Sequence, residues 1–152
     1  MGRAIADYRK TKKADRLRVF SPMFEEDEIP LTTLFRKYKA MPEIERKALD
    51  MATDKTLDVG AGSGCHSLVL QEKGIDVTAI DISPLSVQTM KERGVKSFQM
   101  QYKDTIGEPF DWLYIDADTL KENAAKNGYI AEIVAEGEHY DYLARITKMS
   151  ER

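Results

Sequence analysis

Hydrophobic and polar positions along this chain change period several times, and the changes predict its elements. Thr56-Leu57-Asp58-Val59 is a short strand that breaks off into Gly60-Ala61-Gly62-Ser63-Gly64. A helical stretch through Leu68, Val69 and Leu70 follows, and Gly74 stands where a C-terminal glycine cap belongs. Ile75 to Ile80 is rich in β-branched residues and ends at Asp81, which predicts a second strand. Ser83-Pro84 then supplies an N-cap with proline at the first helical position, and Gly94 closes that helix. Strand, helix, strand, helix with short connections is a βαβα unit, which implies a parallel sheet with right-handed crossovers.

The flanks are less regular. Residues 2–20 are basic and helix-compatible, with Arg3, Arg9, Lys10, Lys12, Lys13, Arg16 and Arg18 around Ile5, Leu17, Val19 and Phe20. Glu25 to Glu28 reverse the sign, so the charge pattern favours a solvated surface arm over a mobile lid above a ligand site. Pro22, Pro30 and Pro42 rule out one continuous helix there. Ile44, Ala48 and Met51 recur at i, i+4 and i+7, an amphipathic helix packed on the βαβα unit. Further on, residues 98–102 alternate, and Ile106-Gly107-Glu108-Pro109 makes a turn before the apolar run ending at Ile115. Asp116 or Asp118 can cap a helix through Leu120 and Ala124 that ends at Asn127-Gly128. Residues 129–135 and 140–146 read as a closing hairpin. No repeat, low-complexity stretch or linker divides the chain. The expectation is one domain over 1–152: a helical arm to residue 52, a βαβα core over 53–95, and strands and a helix over 96–152.

Composition adds limits. A chain of 152 residues fits one domain that buries roughly 70% of its unfolded surface. Hydrophobic residues at 42% and charged residues at 32% describe a globular rather than a disordered protein. The longest apolar run is Trp112-Leu113-Tyr114-Ile115, far short of a membrane span, and no secretory signal pattern opens the chain. Cys65 is alone, so no internal disulfide or cysteine-rich zinc site can form, which suits a reducing cytoplasm. With 23 Lys+Arg against 26 Asp+Glu the net charge is −3, which disfavours a nucleic-acid partner.

The chemistry concentrates in the glycine turn. A glycine-rich turn after a first strand lets backbone approach a ligand and aims helix N–H groups at it, although glycines alone also read as a tight βα turn. Asp58 stands two residues before the first glycine, and the spacing is G-x-G-x-G. The dinucleotide fingerprint would need glycine or alanine where Cys65 stands. No Lys-Ser/Thr pair follows, which rejects a triphosphate-binding P-loop. Asp81 ends the second strand, where a carboxylate can accept from both hydroxyls of a ribose.

Asp58-x-Gly60-x-Gly62-x-Gly64 followed by Asp81-Ile82-Ser83 resembles motif I and the acidic loop of class I S-adenosylmethionine-dependent methyltransferases. The resemblance implies a three-layer α/β Rossmann-like domain, with a mostly parallel sheet and an antiparallel C-terminal hairpin. It implies S-adenosylmethionine as cofactor, with Gly60, Ala61, Gly62 and Gly64 along its methionine and ribose portions. It further implies that Asp58 orients the methionine amino group or the loop, that Asp81 binds the ribose, and that Ile82 packs on adenine. No metal is implied. The expected partner is an unidentified methyl acceptor, a small molecule by preference, with no membrane partner.

The chain departs from that family in its C-terminal half, which looks shortened. Either residues 95–101 form strand three and 110–116 strand four, or 98–116 is a late β-hairpin and strands four and five are missing. The hairpin is preferred, because the helix after Asp116 passes directly into the closing strands. Its consequence is an unpaired edge on the first strand, repaired by the strand at 140–146 or by a homodimer. The alternative function is a non-catalytic relative that keeps only cofactor binding or only the fold. No catalytic residue is assigned; Asp116, His139 and Tyr8 are candidates by chemistry alone. His66 reads as a polar residue at a helix start and Cys65 as a packing residue. His139 and Asp141 share one face of a strand, and Trp112 and Tyr114 share a packing face.

Overall fold

The computed structural model describes residues 1–13, 16–19, 27–96, 98–100, 115–138 and 141–149. Its contacts divide the chain into two compact units, Met1–Met41 with Leu49–Asp104, and Pro42–Ala48 with Thr105–Arg152.

The first unit opens with helix α1 (Gly2–Thr11), followed by a small antiparallel pair, β1 (Leu17–Val19) and β2 (Asp27–Ile29). Two 3-10 turns, Leu31–Phe35 and Tyr38–Ala40, lead to α2 (Glu43–Met51), of which only the last turn counts with this unit. Then come β3 (Lys55–Val59), α3 (Cys65–Glu72), β4 (Asp76–Asp81), α4 (Pro84–Arg93) and β5 (Phe98–Met100). The sheet order is β3-β4-β5 and both pairings are parallel, with Leu57 opposite Thr78 and Ile80 opposite Gln99. This is the α/β arrangement that the βαβα pattern implies.

Alternation along β4 sets the core. Val77 and Ala79 share one face of the strand and are 3% and 0% exposed. Val69 and Leu70 from α3 join Val77 in one cluster with Met41, Leu49 and Cys65; Val87 and Met90 from α4 join Ala79 in another with Ala61 and Val95. Each fully buried aliphatic side chain here contributes roughly 1.5–3 kcal/mol by leaving water. The boundaries follow the expected signals. Ser83 caps α4, its Oγ accepting from the Ser86 amide at 3.4 Å, and Gly94 ends it at φ +90°.

Two expectations change. The basic N-terminal stretch is not a solvated arm where it is described. In α1 Ile5 is wholly buried, and the helix lies along α4 so tightly that a Cβ on Gly2 would strike Ser83. In α2 the buried residue is Leu49, drawn into the cluster with Met41 and Val69, while Met51 is exposed. Of the hairpin preferred for residues 98–116, only the first arm and the last two residues are among the described residues. Phe98–Met100 runs parallel to β4, because the α4 crossover returns the chain through the buried Val95 to the edge of β4. A short alternating run reads the same in a parallel strand and in a hairpin arm, so the pattern alone could not separate them. The fourth strand expected at 110–116 falls mostly on residues outside those described.

The second unit holds α5 (Ala117–Lys126) and the antiparallel pair β6 (Tyr129–Glu136) and β7 (Tyr142–Lys148). Glu132 faces Arg145 across the strands and pairs with it, and the register shifts once, between Ile133 and Ala135. Asp116 caps α5, its Oδ1 accepting from the Asp118 and Thr119 amides at 3.1 and 2.9 Å. Helix and closing hairpin therefore stand where the pattern puts them.

Candidate functional site

Where β3 ends, the backbone turns through left-handed φ values at Gly60, Gly62 and Gly64. The amides of Gly60 and Ala61 both donate to the Ile80 carbonyl, at 2.9 and 3.0 Å, which fastens the turn to the end of β4. Gly62 N donates to Asp81 Oδ2 at 2.8 Å, and Ser83 N donates to Asp81 Oδ1 at 2.8 Å. One carboxylate thus joins the glycine turn to the start of α4. Gly64 N donates to Ala61 O at 2.7 Å. Four of the five amides of the turn therefore bond inside the protein. The sequence reading, which aims N–H groups outward at a ligand, is corrected here. The carbonyls of Ala61, Ser63 and Gly64 are bonded inside the protein as well, by Gly64 N, Arg93 Nη1 and Leu68 N.

Asp58, on the inward-facing register of β3, accepts from Ser67 Oγ at 2.6 Å and so ties the strand to the first turn of α3. Ile82 projects into solvent, 81% exposed, beside Asp81. The structure brings Asp58, the glycine turn, Asp81 and Ile82 together at the ends of β3 and β4. Ala61 differs from the rest, because its side chain belongs to the core cluster with Ala79 and Val87.

Two glycines meet different constraints. A Cβ on Gly64 would lie 2.8 Å from Val95 Cγ2 and 3.0 Å from Met90 Cγ. Among the described residues a Cβ on Gly60 would meet nothing within 4 Å. Glycine at 64 is demanded by the close approach of Val95 and Met90. At 60 the protein leaves open space above a backbone that is already left-handed, a cradle that a side chain would fill.

Sequence reasoning missed the buried side of the turn. Ser63 is 1% exposed; its hydroxyl donates to the Leu34 carbonyl and accepts from Arg93 Nη1 at 2.6 Å. The same Nη1 donates to the Ser63 carbonyl at 2.8 Å, and the guanidinium lies 4.8 Å from the centre of the Phe35 ring. Burial holds the Arg93 pKa below its usual value; Cys65 opposes that shift and Arg9 adds to it. A serine between glycines is the only local sign of this tether, and a separation of 30 residues carries no periodic signal.

The other candidates fall outside this cluster. Asp116 spends both carboxylate oxygens on the cap of α5, with Oδ2 accepting from Thr119 Oγ1 at 2.7 Å. Those bonds, the Thr119 amide first, hold its pKa below the usual carboxylate value, which makes it a poor proton acceptor. Tyr8 packs on Phe35, ring centres 4.9 Å apart. Cys65 is buried in the core beside Val69, and His66 is half-buried in the first turn of α3. His139, Trp112 and Tyr114 lie outside the described residues. Among the described residues no three of His, Cys, Asp and Glu are grouped to hold a metal ion.

The sequence profile of the methyltransferase domain family matches residues 57–135, the segment that carries the glycine turn, Asp81 and the first strands. The chain belongs to this methyltransferase family. It is 43% identical to an S-adenosylmethionine-dependent methyltransferase from Bacteroides fragilis, solved in complex with S-adenosyl-L-homocysteine. The TM-score is 0.88 over 98% of this chain and 94% of that one. It is 30% identical to human glycine N-methyltransferase over 80 residues, which is 52% of this chain and 26% of that protein. The mouse glycine N-methyltransferase is 31% identical over 67 residues, 43% of this chain and 23% of that protein. The chain spans about a quarter of the length of these two methyltransferases. Membership bears out the class I resemblance read from Asp58 to Gly64 and Asp81, together with the α/β Rossmann-like fold that it implies.

Proposed function

We propose that the first unit binds S-adenosylmethionine across the glycine turn and that the protein transfers the cofactor's methyl group to a small-molecule acceptor. The observation that carries this reading is the inward commitment of the turn's amides. A dinucleotide pyrophosphate needs outward N–H groups. A turn whose own amides are spent inside the protein suits a ligand without a phosphate, and S-adenosylmethionine carries none.

In this reading Asp81 accepts from the ribose hydroxyls with the lone pairs that the Gly62 and Ser83 amides leave over, since each carboxylate oxygen accepts more than one hydrogen bond. The exposed Ile82 side chain covers one face of the adenine. Gly60 admits the ligand against its backbone, and Gly62, where an added Cβ would lie 3.8 Å from Ile5 Cδ1, holds the curve of the turn. Asp58 acts through Ser67, fixing the start of α3. The bound cofactor supplies an already activated methyl group; the chain's task is alignment of donor and acceptor and exclusion of water. No described side chain has to act as a base.

A net charge of −3 supports a small acceptor over a nucleic acid, as does the likeness to enzymes named for glycine. No helix among the described residues is long and apolar enough to cross a membrane. The test is calorimetric titration with S-adenosylmethionine, S-adenosylhomocysteine and NAD, followed by transfer of labelled methyl groups to amine-bearing small molecules and to oligonucleotides. Binding of the first two compounds alone, with transfer only to small molecules, is expected. Binding of NAD alone would overturn the cofactor assignment, and binding without any transfer would make the protein a non-catalytic relative.

A further inference from the structure

Behind the glycine turn, on the helical side of the first unit, lies a cavity of about 420 Å³ between α1, the Leu31–Phe35 turn and α4. Three cations line it: Arg9 and Lys12 from the end of α1 and Arg93 from the end of α4. Capping of helix ends accounts for part of this charge, because Arg9 Nη2 donates to the Glu92 carbonyl at 3.4 Å. It leaves Arg9 Nε buried with no hydrogen-bond partner. Among the described residues the Lys12 ammonium makes only ring contacts, 6.0 Å from the centres of Tyr8 and Phe35. Among the described residues none of the three cations forms an ion pair. Glu92, the one carboxylate on the wall among the described residues, accepts from Gln88 Nε2 at 3.1 Å.

The backbone supplies a separate sign. Lys12 sits at φ +56°, one of two non-glycine residues with positive φ among those described. A helix end of this shape ordinarily takes glycine or asparagine, and a lysine there is held against backbone strain. The geometry points to an anion site: we propose that this cavity binds a small phosphate monoester, its phosphate held by Arg9, Lys12 and Arg93 and its organic part against Tyr8 and Phe35. Three cations against one carboxylate leave a wall charge of +2, which matches the roughly −1.5 to −2 of a phosphate monoester near pH 7. Two guanidinium forks and one ammonium are also the donor set that phosphate oxygens take best. Because Arg93 already holds Ser63, a ligand here touches the glycine turn from behind while leaving its open face free. The site is distinct from the proposed cofactor site and does not depend on that reading.

The test uses the full chain at constant ionic strength, with inorganic phosphate and phenyl phosphate as probes and chloride as the reference. Both probes should raise Tm above chloride, and phenyl phosphate should bind more tightly because its ring meets Phe35 and Tyr8. Arg9→Met should weaken binding about 10-fold or more, the loss of one charge-assisted hydrogen bond. Lys12→Met, which removes an exposed ammonium without touching the core, should weaken it in the same direction and serves if the first variant folds poorly. Equal Tm in phosphate and chloride overturns the proposal. So does unchanged affinity in Lys12→Met, or displacement of phenyl phosphate by S-adenosylhomocysteine, which would put the probe in the glycine turn instead.

Discussion

Placing the same methyl group at Gly60 and at Gly64 separates a glycine kept for a ligand from one kept for packing. Both residues are left-handed, at φ +72° and +78°, so Gly60→Ala and Gly64→Ala share a backbone cost of roughly 1–2 kcal/mol. At Gly64 the new Cβ would press on Val95 and Met90, which are 4% and 0% exposed and have nowhere to swing. Overpacking of that kind adds about 1–3 kcal/mol, for a total of about 2–5. At Gly60 nothing is added, because beyond its chain neighbours no atom of the described residues lies within 4 Å of the new Cβ. Urea unfolding followed by circular dichroism reads the difference as a shift in midpoint at equal slope. Gly64→Ala should fall at least ~1 kcal/mol below Gly60→Ala. Gly60→Ala should instead lose affinity for S-adenosylhomocysteine, about 5-fold to 100-fold if the methyl group intrudes on the ligand as it would on a packed core. Equal destabilisation of the two variants, or unchanged affinity in a folded Gly60→Ala, would refute the distinction.

Other side chains give sharper single readouts. Asp81→Ala removes the acceptor for the Gly62 and Ser83 amides, so it should cost about 1.5–3 kcal/mol in unfolding free energy and also at least ~10-fold in S-adenosylhomocysteine affinity. A folded variant that loses neither would remove Asp81 from the site. Ser63→Ala leaves Arg93 with the Ser63 carbonyl alone and the Leu34 carbonyl without its hydroxyl donor, a loss of about 1–3 kcal/mol measurable by thermal unfolding. An unchanged Tm would mean that this tether carries no stability. The Asp116 pKa is depressed in the folded state, so its stabilisation is present above the unfolded value of 3.8 and is lost as pH falls through the folded value. The stability gap between the parent and Asp116→Asn should therefore shrink below about pH 4 and stay constant above it. A gap that is independent of pH would contradict the cap geometry.

What the sequence made legible is local and periodic. The strand before Gly60, the cap at Ser83, the stops at Gly74 and Gly94 and the closing hairpin each have their determinant within a few residues, and each stands where it was read. The residues of the turn were legible for the same reason. What stayed hidden depends on partners far along the chain. Nothing local tells that Ile5 is buried under α4, or that Arg93 reaches back 30 residues to Ser63. The parallel pairing of Phe98–Met100 was hidden differently, because period-2 alternation is common to both strand directions. The direction of the turn's amides is set by the Ile80 carbonyl and the Asp81 carboxylate, two acceptors on the next strand.

The central claim is that S-adenosylmethionine lies across the glycine turn at the ends of β3 and β4. A crystal structure of the chain grown with S-adenosylhomocysteine tests it most directly. The account predicts the ribose hydroxyls within hydrogen-bond distance of Asp81, the adenine against Ile82 and the methionine backbone over Gly60. A ligand bound elsewhere, or a turn left empty at saturating ligand, would contradict it.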